Sequence, residues 1–593
     1  MNPLILVLLY LIAGVIGIRF RRLSYGIVAS VSAFTLFLLY WDMDVGAIQF
    51  YFILLSSLAW LTISLFSLKY EIEDGLLASS FAFTTGMMLL ILLARDAITF
   101  LVGWEGMTVA SFLSLYSHKN SRRAAYMFIA FGELSFIFIF SSFAIASFQA
   151  GSVVFETWGS NTWDAVYFLM ALGFIIKMAA VPVHIWLPEA HARAPANMSA
   201  QLSAVMTLMG LYGLIRFLGV AVPDFWIGAV LLILGGLSSL IGVFYAAICD
   251  HVKKLPAYST VENDGVLIAL VGAFIITFQG GQHLVAAFML LSVMFFAFAH
   301  TMAKSLLFMV AGKLERSGEF LGGRYKLTPV GAIAGYLAAI SLAGVPPLPG
   351  FIAEWSAIES MFQSFYFSDL WLRVLTVSVG ALIALTAGIS TIAMSKFIVH
   401  GVERRERVGW ELSDIGLALG SFTLLLIGLL PQMVFKAASP AIELITNVSV
   451  NKFLGGLFGI PRGYLIVSGK GFGVLSPTFL FLFIVIVFLS VYILMRVPMK
   501  KSRVVKPWSG GLKNEEYPTR GHSSILLLTQ KWLFRTDRRM NYGDVFVSTY
   551  QFLANVTITA SRRFQRALMP GNDRRYVLYI LLALLFYIIL TVI

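Results

Sequence analysis

Charge is the scarcest commodity in this chain: of 593 residues, only 12% are Asp, Glu, Lys or Arg, about half the share of a soluble globular protein. So few charges cannot cover a water-exposed surface, and 59% hydrophobic residues exceed what one globular core hides. Cysteine is almost missing. Cys249 stands alone, which excludes an internal disulfide and any thiolate set for an iron–sulfur cluster or structural zinc. The sequence also has no glycine-rich phosphate loop and no nucleophilic triad. The chain is therefore expected to bind no cofactor and no metal, and not to be catalytic alone.

What it has instead is apolar length. About 20 helical residues cross a hydrocarbon core of ~30 Å, and such runs recur along the chain, close to 3–18, 24–41, 49–68, 77–95, 98–116, 123–148, 164–181, 199–219, 225–249, 263–279, 283–311, 329–363, 368–396, 413–430, 477–496 and 576–593. The fold class that follows is an all-α polytopic membrane protein of about sixteen transmembrane helices. The first run, Met1 to Ile18, lacks a basic leader and a small-residue cleavage site and is read as a retained helix.

Net charge is +13, a value that invites a nucleic-acid reading until its location is considered. From Val497 to Arg575 there are fifteen Lys and Arg against five Asp and Glu. With the N-terminus outside, Arg19/Arg21/Arg22, Lys119/Arg122/Arg123, Lys253/Lys254, Arg324/Lys326, Arg404/Arg405/Arg407 and this tail all fall on the cytoplasmic side, and Asp42 and Asp44 fall outside. The positive-inside rule accounts for the pattern in a cell (inner, cytoplasmic) membrane, with no nucleic-acid partner. The tail segment Tyr542 to Met569 has apolar residues at helical spacing; it lies on the membrane surface, braces a neighbour, or merely returns the chain to its last span.

Two stretches interrupt the apolar pattern alike, Ala179-Ala-Val-Pro-Val-His-Ile-Trp-Leu-Pro188 and Gly344-Val-Pro-Pro-Leu-Pro-Gly350. Proline removes backbone hydrogen bonds, and such breaks persist at membrane depth only where protein or a wet cavity satisfies the freed groups. The spans run in opposite directions, five apart, as in an inverted repeat with broken helices; simple proline kinks are the alternative. The expected organisation is N-terminal helices over 1–74, a first half-channel repeat over 75–220, and a second inverted five-helix repeat over 221–400. Further helices over 401–496, a basic cytoplasmic tail over 497–575 and a final span over 576–593 complete it.

An ionisable group in hydrocarbon costs about 2.5–3.5 kcal/mol even on lenient scales, so each one needs a reason. Glu105 sits inside the fifth span, Lys177 just before the first break, and His300 and Lys304 four apart on one helix face. Glu354 follows the second break and Lys396 closes the thirteenth span. Acids and bases that alternate in a low dielectric shift one another's proton affinity, which is what a proton relay requires. For any single member the alternative is a buried structural ion pair or a snorkelling side chain. Glu133, in the sixth span, extends the relay or faces a neighbouring helix. Glu262 and Asp264 open the tenth span, where acids favour a helix N-terminus, and are accessory candidates with His184 and Ser203.

Several of these residues lie in long motifs. Gly103-Trp-Glu-Gly106, Lys177 followed by His184-Ile-Trp-Leu-Pro-Glu-Ala-His191, Ser199-Ala-Gln-Leu-Ser203, Tyr212-Gly-Leu-Ile-Arg216 and His300 with Lys304 closely resemble the antiporter-like subunits of respiratory complex I and its relatives, over roughly residues 75 to 400. The relatives include membrane-bound hydrogenases, formate hydrogenlyases and multi-subunit sodium/proton antiporters. Tyr258-Ser-Thr-Val-Glu-Asn263, Gly344 to Trp355 and Pro507-Trp-Ser-Gly-Gly511 look more like the hydrogenase-4 component B and formate hydrogenlyase subunit 3 branch. The resemblance implies that Glu105, Lys177 and Glu354 are the fifth-, seventh- and twelfth-helix relay residues, with His300 and Lys304 on a central axis. It implies partners too: further antiporter-like membrane subunits and a peripheral redox arm holding iron–sulfur clusters and a nickel–iron site, with H⁺ or Na⁺ as the ion. One position departs from the family. Its eighth helix usually bears a lysine or histidine, whereas Ser203 and Leu208 stand here: either water and Glu133 bridge that gap, or the half-channel has lost pumping and keeps only a coupling role. Three readings of function stay open: redox-coupled pumping, redox-independent Na⁺/H⁺ antiport, or a scaffold with a decayed channel.

Overall fold

The structure is a computed structural model that describes residues 3–496 and 545–568, apart from 42, 71–73, 118–120, 160–162, 364–368, 404, 453, 456–464, 468–473 and 476. Helices α1 (Leu4–Gly17), α2 (Arg21–Trp41), α3 (Ala47–Ser67), α4 (Gly75–Leu93), α5 (Ala97–Ser117) and α6 (Arg122–Ala150) run back and forth. Helix α7 (Trp163–Lys177) stops at the first break, followed by the short α8 (Trp186–Arg193) and α9 (Ala196–Gln201). A π-turn over Leu202–Met206 joins α9 to α10 (Thr207–Leu218). Then come α11 (Phe225–Ile248), α12 (Lys254–Gln279) and α13 (His283–Glu315). Helices α14 (Pro329–Leu342) and α15 (Pro349–Phe362) flank the second break, before α16 (Leu370–Phe397), α17 (Asp414–Leu429), α18 (Gln432–Thr446) and α19 (Pro477–Arg496). Strand β1 (Tyr325–Leu327) pairs in parallel with β2 (Arg405–Arg407), and β3 (Leu454–Gly455), β4 (Leu465–Val467) and β5 (Val474–Leu475) form a small antiparallel sheet.

Among the described residues, ten helices are long and apolar enough to cross a membrane, or eleven if α17 and α18, bent by 76°, count as one span. That is fewer than the sixteen expected. The breaks divide two of the expected spans into short pieces, α1 is only 14 residues long, and 576–593 lies outside the described residues. So do Pro507-Trp-Ser-Gly-Gly511 and the tail up to residue 544. Helix α20 (Val545–Leu568) belongs to a separate unit and is amphipathic; it covers the described part of the stretch Tyr542–Met569, whose spacing is helical.

The core of the main unit is the pair α12 and α13, in which every residue from Leu255 to Thr277 and from Val285 to Leu314 is buried. A helix apolar nearly all round belongs inside a bundle. Close contact of small residues holds α12 against α11: a Cβ at Gly235 would lie 2.3 Å from Ala269 N, and one at Gly265 2.4 Å from Ser239 N. Backbones that touch in this way replace the hydrophobic drive that lipid cannot supply.

Helix α12 starts at Lys254, nine residues earlier than the apolar run suggested, because Pro256 falls in the first turn, where its missing N–H is no loss. Glu262 and Asp264 therefore sit inside the helix and are not end caps, which corrects that expectation. The cap is His251, whose Nδ1 accepts from the backbone of Lys253 (3.2 Å) and Lys254 (3.4 Å). His251 lies in the connection between spans, where burial, and then the charges of Lys254, Lys253 and Arg193, push its pKa down to about 3. An unfolded histidine takes up a proton near pH 6.5, so below that pH the unfolded chain binds a proton the folded one refuses. Stability is lost as pH falls from about 6.5 towards 3, by about 1.4 kcal/mol per unit. A thermal-unfolding series from pH 7 to 5 should show this decline, and His251→Asn, which keeps a capping acceptor, should flatten it; an unchanged slope would remove His251 from the account.

Candidate functional site: two buried clusters of ionisable side chains

Helices α5, α6 and α7 assemble the first cluster. Lys177, the last residue of α7, is only 2% exposed. Its Nζ donates to Thr108 Oγ1 at 3.0 Å and lies 5.9 and 5.1 Å from the ring centroids of Trp104 and Phe128, so hydroxyl and aromatic faces solvate the cation where water would otherwise be needed. Glu105, one turn before Thr108 on α5, and Glu133 on α6 both interact electrostatically with Lys177 and with each other. Glu105 Oε2 is buried and has no hydrogen-bond partner among the described residues. Immediately after Lys177 the backbone turns through Ala179, at a positive φ of 52°, and His184 is fully buried inside the break.

The second cluster is built on α12 and α13. His300 Nε2 donates to the Ser203 carbonyl (3.2 Å), and its Nδ1 faces Asn263 Nδ2 (3.2 Å). Asp264 Oδ1 lies 3.9 Å from His300 Nε2. One turn further along, Lys304 donates to the Pro256 carbonyl (3.3 Å) and interacts with Glu262 and Asp264. Glu262 accepts from Ser259 and from Ser390 of α16, both at 3.2 Å. Glu354, on α15, interacts electrostatically with Glu262. It also shares with Asn263, His300 and Ser341 a cavity of about 10 Å³, close to the space one water occupies. The second break makes this approach feasible: Gly344 has φ of 65°, and a Cβ there would lie 2.1 Å from Glu354 Oε2.

The structure thus gathers Glu105, Glu133 and Lys177 at one place, and His300, Lys304, Glu262, Asp264 and Glu354 at another, with Ser203 touching the second group. It places Lys396 elsewhere. That ammonium donates to the carbonyls of Ala247 (2.8 Å) and Cys249 (2.6 Å) and pairs with Asp250 (3.4 Å), at the C-terminal end of α11, where a cation is favoured.

Three features were not anticipated from the sequence. Lys253, 2% exposed, bonds Ala194 O (2.6 Å) and Glu315 (2.7 Å), while Lys254 pairs with Glu189. Lys313 is held by Asp414 (2.8 Å) and Glu411 (3.2 Å); a lone lysine in the apolar run before Leu314 was the available signal. His191 is fully buried, stacked on Phe308 at 4.6 Å. Among the described residues no group of three or more His, Cys, Asp or Glu side chains is arranged to hold a metal ion. What the clusters can do is hold and exchange protons, since Glu105 and Glu133 lie within electrostatic reach of Lys177, Glu262 and Asp264 within reach of Lys304, and Glu354 within reach of Glu262.

Comparison with known proteins agrees with this geometry. Residues 94–384 match the family described as NADH:quinone oxidoreductase/Mrp antiporter, TM. The chain is 28% identical over 375 residues to hydrogenase-4 component B of Escherichia coli, covering 60% of this chain and 56% of that protein. It is 27% identical over 423 residues to the Na(+)/H(+) antiporter subunit A1 of Staphylococcus epidermidis, covering 65% and 52%. It spans about half the length of the curated relatives it matches. Its fold aligns with a chain of the membrane-bound sulfane sulfur reductase, an archaeal respiratory membrane complex, with a TM-score of 0.77 at 20% identity, over 98% of this chain and 99% of the other. The matched region spans both clusters, so residues 94–384 carry the domain described as NADH:quinone oxidoreductase/Mrp antiporter, TM, and both clusters lie within it.

Proposed function

We propose that the chain translocates protons, or exchanges Na⁺ for protons, as a subunit of a redox-driven membrane complex. The observation that supports this most is the pair of ionisable clusters on broken and π-distorted spans, because buried charges away from such a role are costly to keep. In this reading Glu105, Glu133 and Lys177 form one half-channel, and Glu262, His300, Lys304 and Glu354 the other. The two breaks are the centres of inverted repeats, a reading supported by the positive-φ residue, Ala179 or Gly344, that opens each one. Lys396 steadies the end of α11 and joins the path only at its margin. Electrons would pass through iron–sulfur clusters, and a nickel–iron site where there is one, in partner subunits. The N-terminus lies outside the cell membrane and the basic tail in the cytoplasm.

Redox-independent Na⁺/H⁺ antiport is the second reading, favoured by the likeness to antiporter subunit A1. Inverted membrane vesicles containing the intact complex separate the two. Under redox drive, a pH-sensitive dye and ²²Na⁺ uptake should report ion movement that stops when the electron donor is withheld. Exchange driven by an imposed sodium gradient alone would favour the second reading. No movement in either case would sink both.

A further inference from the structure

Every residue of the span Ala196–Leu218 except Arg216 is buried, and there is no Asp, Glu, His, Lys or Arg between Arg193 and Arg216. It packs against α7 through α10 and against α12 and α13 through α10, α9 and the π-turn. A proton moving between the Lys177 cluster and the Lys304 cluster through this span crosses an element without a titratable group of that kind; the other connection is α8, which bears His191 and packs against α6 and α12. The π-turn lies at this crossing. There the Thr207 N–H bonds the carbonyl of Leu202, and Ser203 O is released from its α-helical partner. That carbonyl accepts instead from Thr207 Oγ1 (3.0 Å) and from His300 Nε2 (3.2 Å), while Ser203 Oγ is paired with Thr260 Oγ1 at 2.7 Å. π-Turns of this kind are frequent at functional sites.

Asp264 reaches the same point from α12. It is fully buried, interacts with Thr207 and Lys304, and lies 3.9 Å from His300 Nε2. The nearby Thr207 and His300 protons are directed at the Ser203 carbonyl, and neither Asp264 oxygen has a hydrogen-bond partner among the described residues. A buried carboxyl group in that position is costly unless a proton or a reoriented donor reaches it.

We propose that Asp264 is the proton carrier that bridges the uncharged span, exchanging with His300 beside the π-turn. This rests on the reading of the chain as an ion-translocating subunit. In the step itself the Asn263 amide turns away, the Lys304 ammonium protonates His300 Nδ1 and becomes a neutral amine, and the resulting imidazolium turns Nε2–H from the Ser203 carbonyl to Asp264 Oδ1. The N–H bond breaks as the O–H bond forms, so an ion pair becomes a neutral imidazole and a neutral carboxylic acid with no change in net charge. The acid then gives its proton to the Thr207 hydroxyl, which releases its own towards the Lys177 side, and the Lys304 amine regains a proton from Glu262.

The test uses vesicles with the intact complex, redox drive, the pH dye and ²²Na⁺. Asp264→Asn, isosteric but unable to hold the proton, should lower ions moved per electron about 100-fold with the complex assembled. Ser203→His added to that variant places a titratable ring on the span itself and should restore part of the flux. If Asp264→Asn moves ions like wild type while Glu105→Gln does not, Asp264 is not the bridge and the relay reading survives. Wild-type flux in both variants removes the relay reading as well. Should Asp264→Asn not assemble, Asp264→Leu decides: assembled and silent supports the bridge, assembled and active overturns it.

Discussion

Lys177→Ala is expected to lower ions moved per electron by about 100-fold while leaving the complex assembled. The ammonium is the only cation of the first cluster among the described residues, and both Glu105 and Glu133 act on it. Its removal leaves two acids 28 positions apart in sequence facing one another without a counter-charge, so a proton entering there has no base to displace. It also removes the bond to Thr108 and the aromatic contacts with Trp104 and Phe128, worth about 2 kcal/mol together when desolvated, a loss the rest of the bundle absorbs. Glu105→Gln should give the same loss, and the double variant no more than either single one, because the two groups titrate as a unit. The check is simultaneous recording of redox turnover and gradient formation; losses that multiply in the double variant would mean separate pathways.

The second large effect is on assembly. Asp414 is fully buried at the start of α17 and accepts from Lys313 Nζ (2.8 Å), Thr328 Oγ1 (2.9 Å) and the Glu411 backbone N–H (3.1 Å). One carboxylate thus ties α13, the N-cap of α14 and α17. Asp414→Ala leaves Lys313, 4% exposed, with only the half-exposed Glu411, and stranding one partner of a buried pair costs about 3–5 kcal/mol. The variant should accumulate poorly in the membrane and melt earlier. Removing both charges, as Lys313→Met with Asp414→Leu, should recover much of the loss; no recovery would show that the Thr328 and Glu411 contacts matter more than the ion pair.

How much of this was legible beforehand depended on the kind of signal. Helices and isolated charges read well, since an apolar run has few alternatives to a span and a Glu105 or Lys177 within one stands out. The start of α12 did not, because Ala257 to Gly265 is polar enough to resemble a connection and only burial on every side makes it helix interior. The placement of Lys396 was also hidden: its chemistry suits a relay or the end of α11 equally, and the packing of α16 on α11 chooses. Nor does any local pattern announce that Ser203 contributes through its carbonyl rather than its hydroxyl. That follows from the π-turn and from where α13 sets His300, both products of tertiary packing.

The most direct measurement on the central claim is the ion-to-electron ratio of the intact complex in sealed vesicles with Glu354→Gln, because Glu354 lies beside the second break and shares its small cavity with His300. If the two clusters conduct ions, the ratio collapses while electron transfer and assembly persist. A ratio equal to that of the wild type would contradict the account and leave the buried charges as structure alone.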